Sequence, residues 1–176
     1  MKMTKLWALG ALLGTLGAIT TAQAAPGPAI PLLGGPNSVS AGVFVPSGGD
    51  AKVGGNTQFA VEFRYGLPIP LPTATRTVIA LGVETGSKNG SHSTVIPVSI
   101  GQIASVGYGF YAGGGVGYYF INQHRNSNTL DTLKTTQQAG AYGEVGYSLA
   151  DTIFVNAKYQ FVSHANGLMV TAGLHF

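Results

Sequence analysis

The chain contains no cysteine, and this absence excludes several kinds of site at once. Without thiols there is no disulfide framework, no thiolate metal centre and no acylated cysteine of a lipoprotein. Charged side chains are also scarce: they make up 9% of the 176 residues, whereas soluble domains average roughly 25%. The composition therefore differs from that of an ordinary water-soluble domain.

Long apolar runs are missing from the body of the chain. A membrane-spanning helix needs about 20 consecutive apolar residues, and no stretch after the N-terminal leader reaches that length. Glycine is frequent, with 27 residues, but the short repeat of a Gly-rich fibre is not found. Apolar character is spread along the sequence, and 176 residues are enough for one domain.

The first 24 residues have the pattern of a secretory signal peptide. MKMTK supplies two lysines, LWALGALLGTLGAIT is an apolar segment of 15 residues, and TAQA ends in small residues. We expect cleavage before Ala25; the alternative is a retained N-terminal anchor. Removal of Lys2 and Lys5 leaves a net charge of +1, which argues against a nucleic-acid partner. Residues 25–37, APGPAIPLLGGPN, contain four prolines and are predicted to form an extended tether.

Eight segments from Ser38 onward have strand character. Their predicted limits are 38–45, 57–65, 75–85, 92–100, 108–121, 135–149, 152–162 and 167–176. Apolar residues recur at every second position, as in Phe59, Val61 and Phe63, because successive side chains of a strand point to opposite faces. All six charges inside these segments lie opposite the apolar rows: Glu62, Arg64, Arg76, Glu84, Glu144 and Lys158.

The composition of the second face indicates which side is the interior. In a soluble sandwich that face meets water and is rich in charged residues. Here it carries mostly Gly, Ala, Ser, Thr, Gln, Asn and Tyr. Small residues suit a narrow interior, whereas apolar rows that end in aromatic residues suit a bilayer with aromatic girdles. The apolar rows are therefore predicted to meet lipid.

Strands in a bilayer must close into a barrel, because an open sheet edge would leave backbone groups without hydrogen bonds. Each spanning strand takes about 9–11 residues, so residues 38–176 accommodate eight strands but not sixteen. The predicted fold is all-β, an eight-stranded antiparallel transmembrane β-barrel preceded by a cleaved signal peptide. Pro97 is the main obstacle, and we expect a bulge or a locally broken ladder there.

The connections between strands indicate an orientation if the tether is periplasmic. The outward connections are then 46–56, 86–91, 122–134 and 163–166, and the inward ones are 66–74, 101–107 and 149–151. NQHRNSNTLDTLK, residues 122–134, is the longest and most polar connection, and it falls outside, where outer-membrane barrels place their longer loops. The implied location is the outer membrane of a Gram-negative cell, after Sec-type export.

Two stretches, YAGGGVGYYF at 111–120 and the last strand ending in Phe176, resemble small outer-membrane β-barrel proteins of the OmpA/OmpW/opacity-protein kind. The rest of 38–176 resembles them in pattern only. The resemblance implies that the barrel-assembly machinery recognises one row of the last strand: Val170, Ala172, Leu174 and Phe176. It also implies a setting of outer-membrane lipid and lipopolysaccharide. The peptidoglycan-binding domain of larger OmpA proteins is not expected, because the chain ends with the barrel.

Eight strands enclose an interior that side chains fill or that holds one small ligand. We therefore expect a structural, surface-interaction or narrow-permeation role rather than a general porin, with no enzymatic activity and no cofactor; the oligomeric state is left open. A lumen charge cluster is predicted to plug the barrel: Glu62, Arg64, Arg76, Glu144 and Lys158. Glu144 and Lys158 are equidistant from a hairpin centre near Asp151, so a direct pair is expected.

The alternative function is that of a lipid A-modifying acyl hydrolase. FVSHANG, residues 161–167, resembles such enzymes in having a His near a Ser, and Glu144 is a candidate to orient His164. The family pattern requires Ser two residues after the His, but Asn166 occupies that position. No metal site is expected, because His92, His124 and His164 are assigned to three separate loops at the outward end.

Overall fold

A computed structural model describes residues 37–48, 50–67, 75–127 and 130–176. The predicted signal peptide, nearly all of the predicted tether and most of the 66–74 connection lie outside these described residues. Within them, no helix has the length and apolar character needed to cross a membrane.

Eight antiparallel strands close into a barrel in sequence order, as predicted. They are β1 (Asn37–Pro46), β2 (Gln58–Gly66), β3 (Thr75–Lys88), β4 (Ser91–Gly107), β5 (Phe110–Ser127), β6 (Leu130–Ser148), β7 (Ile153–Phe161) and β8 (Gly167–His175). β1 pairs with β8, and backbone bonds of 3.2 Å and 3.0 Å between Asn37 and Phe176 extend this seam. We call the end with these two residues the terminal end, and the opposite end, with the Asn89–Gly90 turn, the hairpin end.

Several strands are longer than predicted, and the largest extensions are in β4, β5 and β6. β4 continues to Gly107, so the predicted 101–107 connection is mostly strand and the turn is Tyr108–Gly109. β5 and β6 remain paired as far as Ser127 and Leu130, so the predicted 122–134 loop is largely a β-hairpin. Both loop predictions were wrong, because a strand that leaves the membrane loses its alternation of apolar residues while its backbone ladder continues.

Pro97 lies within β4, on the lumen face. The ladder from β4 to β5 continues through it. The ladder to β3 is interrupted at Gly82 and Val83 and resumes at Glu84 without a change of register. Proline has no N–H to donate, and Gly82 has no side chain to collide with its ring. The predicted local break is therefore confirmed.

The outer face of the barrel carries the apolar rows. Leu81, Ile100 and Val116, near the middle of their strands, are 52%, 47% and 48% exposed. Aromatic rings follow at both ends: Phe59, Tyr118, Phe120, Tyr159 and Phe161 at the hairpin end, and Tyr65, Phe110, Tyr147 and Phe176 at the terminal end. An apolar band between two aromatic girdles is the outer surface of a barrel made for a bilayer.

Candidate functional site

The lumen is filled by large side chains that lie against glycines of neighbouring strands. The ring of Tyr111 occupies the space that a side chain at Gly146 would need, and the Tyr142 hydroxyl occupies the equivalent space at Gly101. Tyr111 and Tyr142 are 7% and 4% exposed. The glycine-rich face predicted to be interior therefore makes room for aromatic rings.

Two carboxylates and two cations form an ion-pair network in the middle of the lumen. Arg64 Nε lies 2.6 Å from Glu62 Oε1, and Arg64 Nη2 lies 2.7 Å from Glu144 Oε2. Lys158 Nζ pairs with Glu62 and lies 4.2 Å from the centre of the Tyr142 ring. All four charged side chains are buried. We call Glu62, Arg64, Glu144 and Lys158 the lumen network; its charges balance, as stable burial of ions requires.

The lumen network contains four of the five residues predicted for the charge cluster. The register places Glu144 directly opposite Lys158, as the hairpin centre indicated. The ion pairs nevertheless run to β2, from Lys158 to Glu62 and from Glu144 to Arg64, so the predicted direct pair was wrong. In a narrow lumen a long side chain reaches the far wall as readily as its neighbour. The fifth residue, Arg76, lies nearer the terminal end, opposite Ile103 of β4.

Two further polar contacts were not predicted from the sequence. Asn156 Nδ2 donates to Glu144 Oε2 at 3.0 Å. Gln160 Nε2 donates to Glu84 Oε1, and Glu84 is fully buried. Strand parity places all of these side chains in the lumen. Glu84 lies on β3 and Gln160 on β7, however, and no sequence pattern indicates a contact between opposite walls.

Apolar side chains fill the lumen on both sides of the network. Toward the hairpin end they are Phe44, Ala51, Ala60, Val95, Tyr119, Ile121, Val162, Ala165 and Met169. Toward the terminal end they are Val78, Ile103, Tyr111 and Phe154. The lumen is thus layered as apolar, charged and apolar, and an ion crossing it would have to displace all three layers.

The connection after β1 folds into the mouth of the barrel. Asp50–Gly54 form one turn of 3-10 helix, in which Ala51 is fully buried. The Gln58 side chain donates to the Ala51 carbonyl, and the Ala51 N–H donates to the His164 carbonyl at 3.0 Å. This part of the 46–56 connection is therefore a plug that covers the apolar layer at the hairpin end.

His164 is held by this plug rather than by the lumen network. Its Nδ1 lies 3.2 Å from Asp50 Oδ2, which also accepts a hydrogen bond from Lys134 Nζ at 2.8 Å. Glu144, the predicted orienting residue of the hydrolase alternative, pairs with Arg64 instead, so this assignment was wrong. Among the described residues, the bonding partners of the His164 ring include no serine hydroxyl.

Two other histidines are placed differently from the prediction. His92 lies on β4 and His124 on β5, directly opposite each other in the ladder, rather than in separate loops. Over the part of the chain that the structure describes, no group of three or more His, Asp or Glu side chains is arranged to hold a metal ion.

Solved structures of other proteins share this barrel arrangement. The N-terminal β-barrel domain of Pseudomonas aeruginosa OprF is 14% identical, with a TM-score of 0.56 over 81% of this chain and 99% of that domain. The attachment invasion locus protein Ail of Yersinia pestis is 10% identical, with a TM-score of 0.57 over 79% of this chain and 96% of Ail. This is the fold of the small outer-membrane β-barrels. No family model and no curated protein matches the sequence.

On this outer-membrane barrel fold, the predicted assembly row lies along the outer face of β8. Val170, Leu174 and Phe176 are 44%, 52% and 59% exposed, and Ala172 is also exposed. The Phe176 ring lies 6.3 Å from that of Phe63, between centroids. The row is therefore accessible from the membrane side, and its recognition by the assembly machinery stays a prediction.

Proposed function

We propose that this protein is an integral outer-membrane barrel with a closed lumen, which serves a structural and surface-interaction role. The layered lumen carries this proposal. The lumen network is buried between two apolar clusters, and the plug covers one of them. Separating one partner of a buried ion pair costs about 3–5 kcal/mol, so spontaneous opening is rare. Narrow permeation is the least supported of the three expected roles.

The outer surface of the barrel supports the outer-membrane location in this proposal. An apolar band between two aromatic girdles matches a bilayer and its two interfaces. The protein reaches this membrane by Sec-type export directed by residues 1–24, and the barrel-assembly machinery inserts it through the row on β8. Lipid and the acyl chains of lipopolysaccharide then cover the apolar band.

Conductance in planar bilayers tests the closed lumen. We expect the full barrel to show no more current than a known closed barrel. Lys158→Met should raise the current, because it removes a cation from the lumen network. Lys88→Met is the matched control, since Lys88 is an exposed lysine at the hairpin end of β3, away from the lumen. Wild-type steps as large as those of an open porin would contradict the proposal.

The hairpin end supplies the surface for interaction. Four exposed basic side chains surround it, Lys52, Lys88, Arg125 and Lys134. Ail, which has the same fold, has been solved in complex with the heparin analogue sucrose octasulfate. We propose anionic glycans, whether sulfated polysaccharide or the phosphorylated sugars of lipopolysaccharide, as the partner chemistry here.

Binding of the barrel in nanodiscs to immobilised heparin and to lipopolysaccharide tests this partner. The Lys88→Gln/Arg125→Gln double variant should weaken binding several-fold at low salt, and added salt should weaken wild-type binding, because exposed charges are screened. Neutral dextran is the control. Binding that is insensitive to both salt and the double variant would contradict a charge-based partner, and preference for one anionic surface would identify the source.

The lipid A hydrolase remains the second candidate, because the Asp50–His164 contact resembles the orienting half of a catalytic triad. The position two residues after His164 is Asn166, which supplies no nucleophile. Incubation of the purified barrel with lipopolysaccharide, followed by measurement of released fatty acid, should show no release above a His164→Ala control. Release that depends on His164 would favour the enzyme.

A further inference from the structure

His92 and His124 face each other on the outer side of the barrel wall. They are opposite partners in the β4–β5 ladder, so their side chains share one face of the sheet. Their ring centroids are 6.0 Å apart and the ring planes differ by 34°. Both share strand parity with the lipid-facing residues, and neither points into the lumen.

The two histidines lie beyond the membrane band. Phe120, the last girdle ring on β5, is four residues from His124, which is about 13 Å along a strand at roughly 3.3 Å per residue. The outer face between them is polar and hydrogen-bonded: Thr85 to Thr94 at 3.1 Å, and Thr135 to Asn122 at 3.0 Å. The pair is therefore at the level of lipid head groups and water, where an ion can reach it.

The ring separation is close to that of a shared metal ion. Metal–imidazole bonds of about 2.0–2.1 Å at a tetrahedral angle place two ring centroids roughly 5 Å apart. The observed 6.0 Å thus requires a movement of less than about 1 Å, which rotation of the side chains on a fixed backbone supplies. The paired strands fix the positions of both Cβ atoms, so the binding of an ion costs little conformational entropy.

We propose that His92 and His124 form a cross-strand binding site for a transition-metal ion. Neutral imidazole nitrogens suit Zn²⁺, Cu²⁺ and Ni²⁺, whereas Mg²⁺ and Ca²⁺ prefer oxygen ligands. Among the described side chains no third His, Asp or Glu is arranged to join them. The remaining positions on the ion are taken by water or by an oxygen of a surrounding head group. Metal binding at this site requires neither a closed lumen nor a bound glycan.

Calorimetric titration of the full barrel in detergent micelles, prepared without an oligohistidine tag, tests the site with Zn²⁺ and Cu²⁺. We expect one ion per chain and no measurable binding of Mg²⁺. His92→Ala, His124→Ala and the double variant should each weaken binding at least tenfold and to a similar extent, because either change destroys the chelate. The His164→Ala variant, altered at another histidine of the hairpin end, is the matched control and should bind as the wild type does.

Electron paramagnetic resonance of bound Cu²⁺ gives a second readout. The wild-type spectrum should show coupling to two imidazole nitrogens, and each single variant should lose this pattern. Both positions lie outside the lipid band, so circular dichroism should show unchanged folding. Binding that persists in the double variant, or single variants that lose only half of the bound ion, would overturn a shared site.

Discussion

At the residue scale, the interior of this barrel depends on positions that have no side chain. Gly146 leaves the space for the ring of Tyr111, and that ring covers the terminal-end side of the lumen network. Gly143, three residues earlier on β6, has no atom of another residue within 4 Å of the place where a Cβ would stand. The two glycines therefore have opposite tolerances for a methyl group.

Gly146→Ala should lower the free energy of unfolding by about 1–3 kcal/mol, the usual effect of overpacking a filled interior. Gly143→Ala should change it little, because Gly143 lies on the outer face, where its methyl group would meet lipid and no other protein atom. Urea unfolding of the two variants in lipid vesicles, monitored by circular dichroism, measures the difference in the free energy of unfolding. Equal losses would show that the glycines matter through strand propensity rather than through the tyrosine ring.

The lumen network predicts which charged residues are energetically coupled. Lys158 pairs with Glu62, although Glu144 is its neighbour in the ladder. Lys158→Met and Glu62→Gln should each destabilise the barrel by about 3–5 kcal/mol, and the double variant by clearly less than the sum. The same cycle with Glu144→Gln should show weaker coupling to Lys158. Stronger coupling of Lys158 to Glu144 than to Glu62 would restore the pair predicted from the hairpin.

At the element scale, β8 combines two roles on its two faces. Its inner face contributes Met169 and Thr171 to the filled lumen, whereas its outer face carries the row that ends in Phe176. The backbone of Phe176 also bonds to Asn37 across the closing seam. A substitution that keeps the backbone is therefore a cleaner test of side-chain recognition than a deletion.

Phe176→Ala should reduce assembly into the outer membrane several-fold, because it removes the last aromatic side chain from the predicted recognition row. His175→Ala is the control in the adjacent position; its ring lies on the lumen side, 4.4 Å from the ring of Phe154 between centroids. Quantifying folded protein in isolated outer membranes compares the two. An equal or larger loss for His175→Ala would count against recognition of the outer row.

At the scale of the whole molecule, the barrel inverts the arrangement of a soluble protein. Five charged side chains are buried in its lumen, those of Glu62, Arg64, Glu84, Glu144 and Lys158, and many aliphatic side chains are exposed around the outside. Each strand is hydrogen-bonded on both sides in a closed ring, so there is no free edge from which unfolding can start. Detergent at room temperature should therefore leave the barrel folded.

Unboiled and boiled samples should consequently migrate differently on denaturing gels, because the unboiled barrel stays folded and the boiled chain is unfolded. The measurement uses protein whose strand content has first been verified by circular dichroism. Identical mobility before and after boiling would contradict a closed and persistent barrel.

Strand number and the two faces of each strand could be predicted from the sequence. Phe59, Val61 and Phe63 alternate with Gln58, Glu62 and Arg64, and this local pattern is enough to assign lipid and lumen. The position of Glu144 opposite Lys158 also followed from the short β6–β7 hairpin, because a tight turn determines its own register. These properties depend only on residues near one another in the chain.

Contacts across the barrel were decided by the tertiary structure. The Lys158–Glu62 and Gln160–Glu84 contacts join opposite or separate walls, so they exist only once all eight strands have closed with a particular stagger. The same holds for the plug, since Asp50 contacts His164 and Lys134 only where the plug, the β7–β8 connection and β6 meet at the mouth of the barrel. His92 and His124 also meet through the pairing of two long strands. Alternation along one strand determines which side chains face inward, but only closure determines which of them touch.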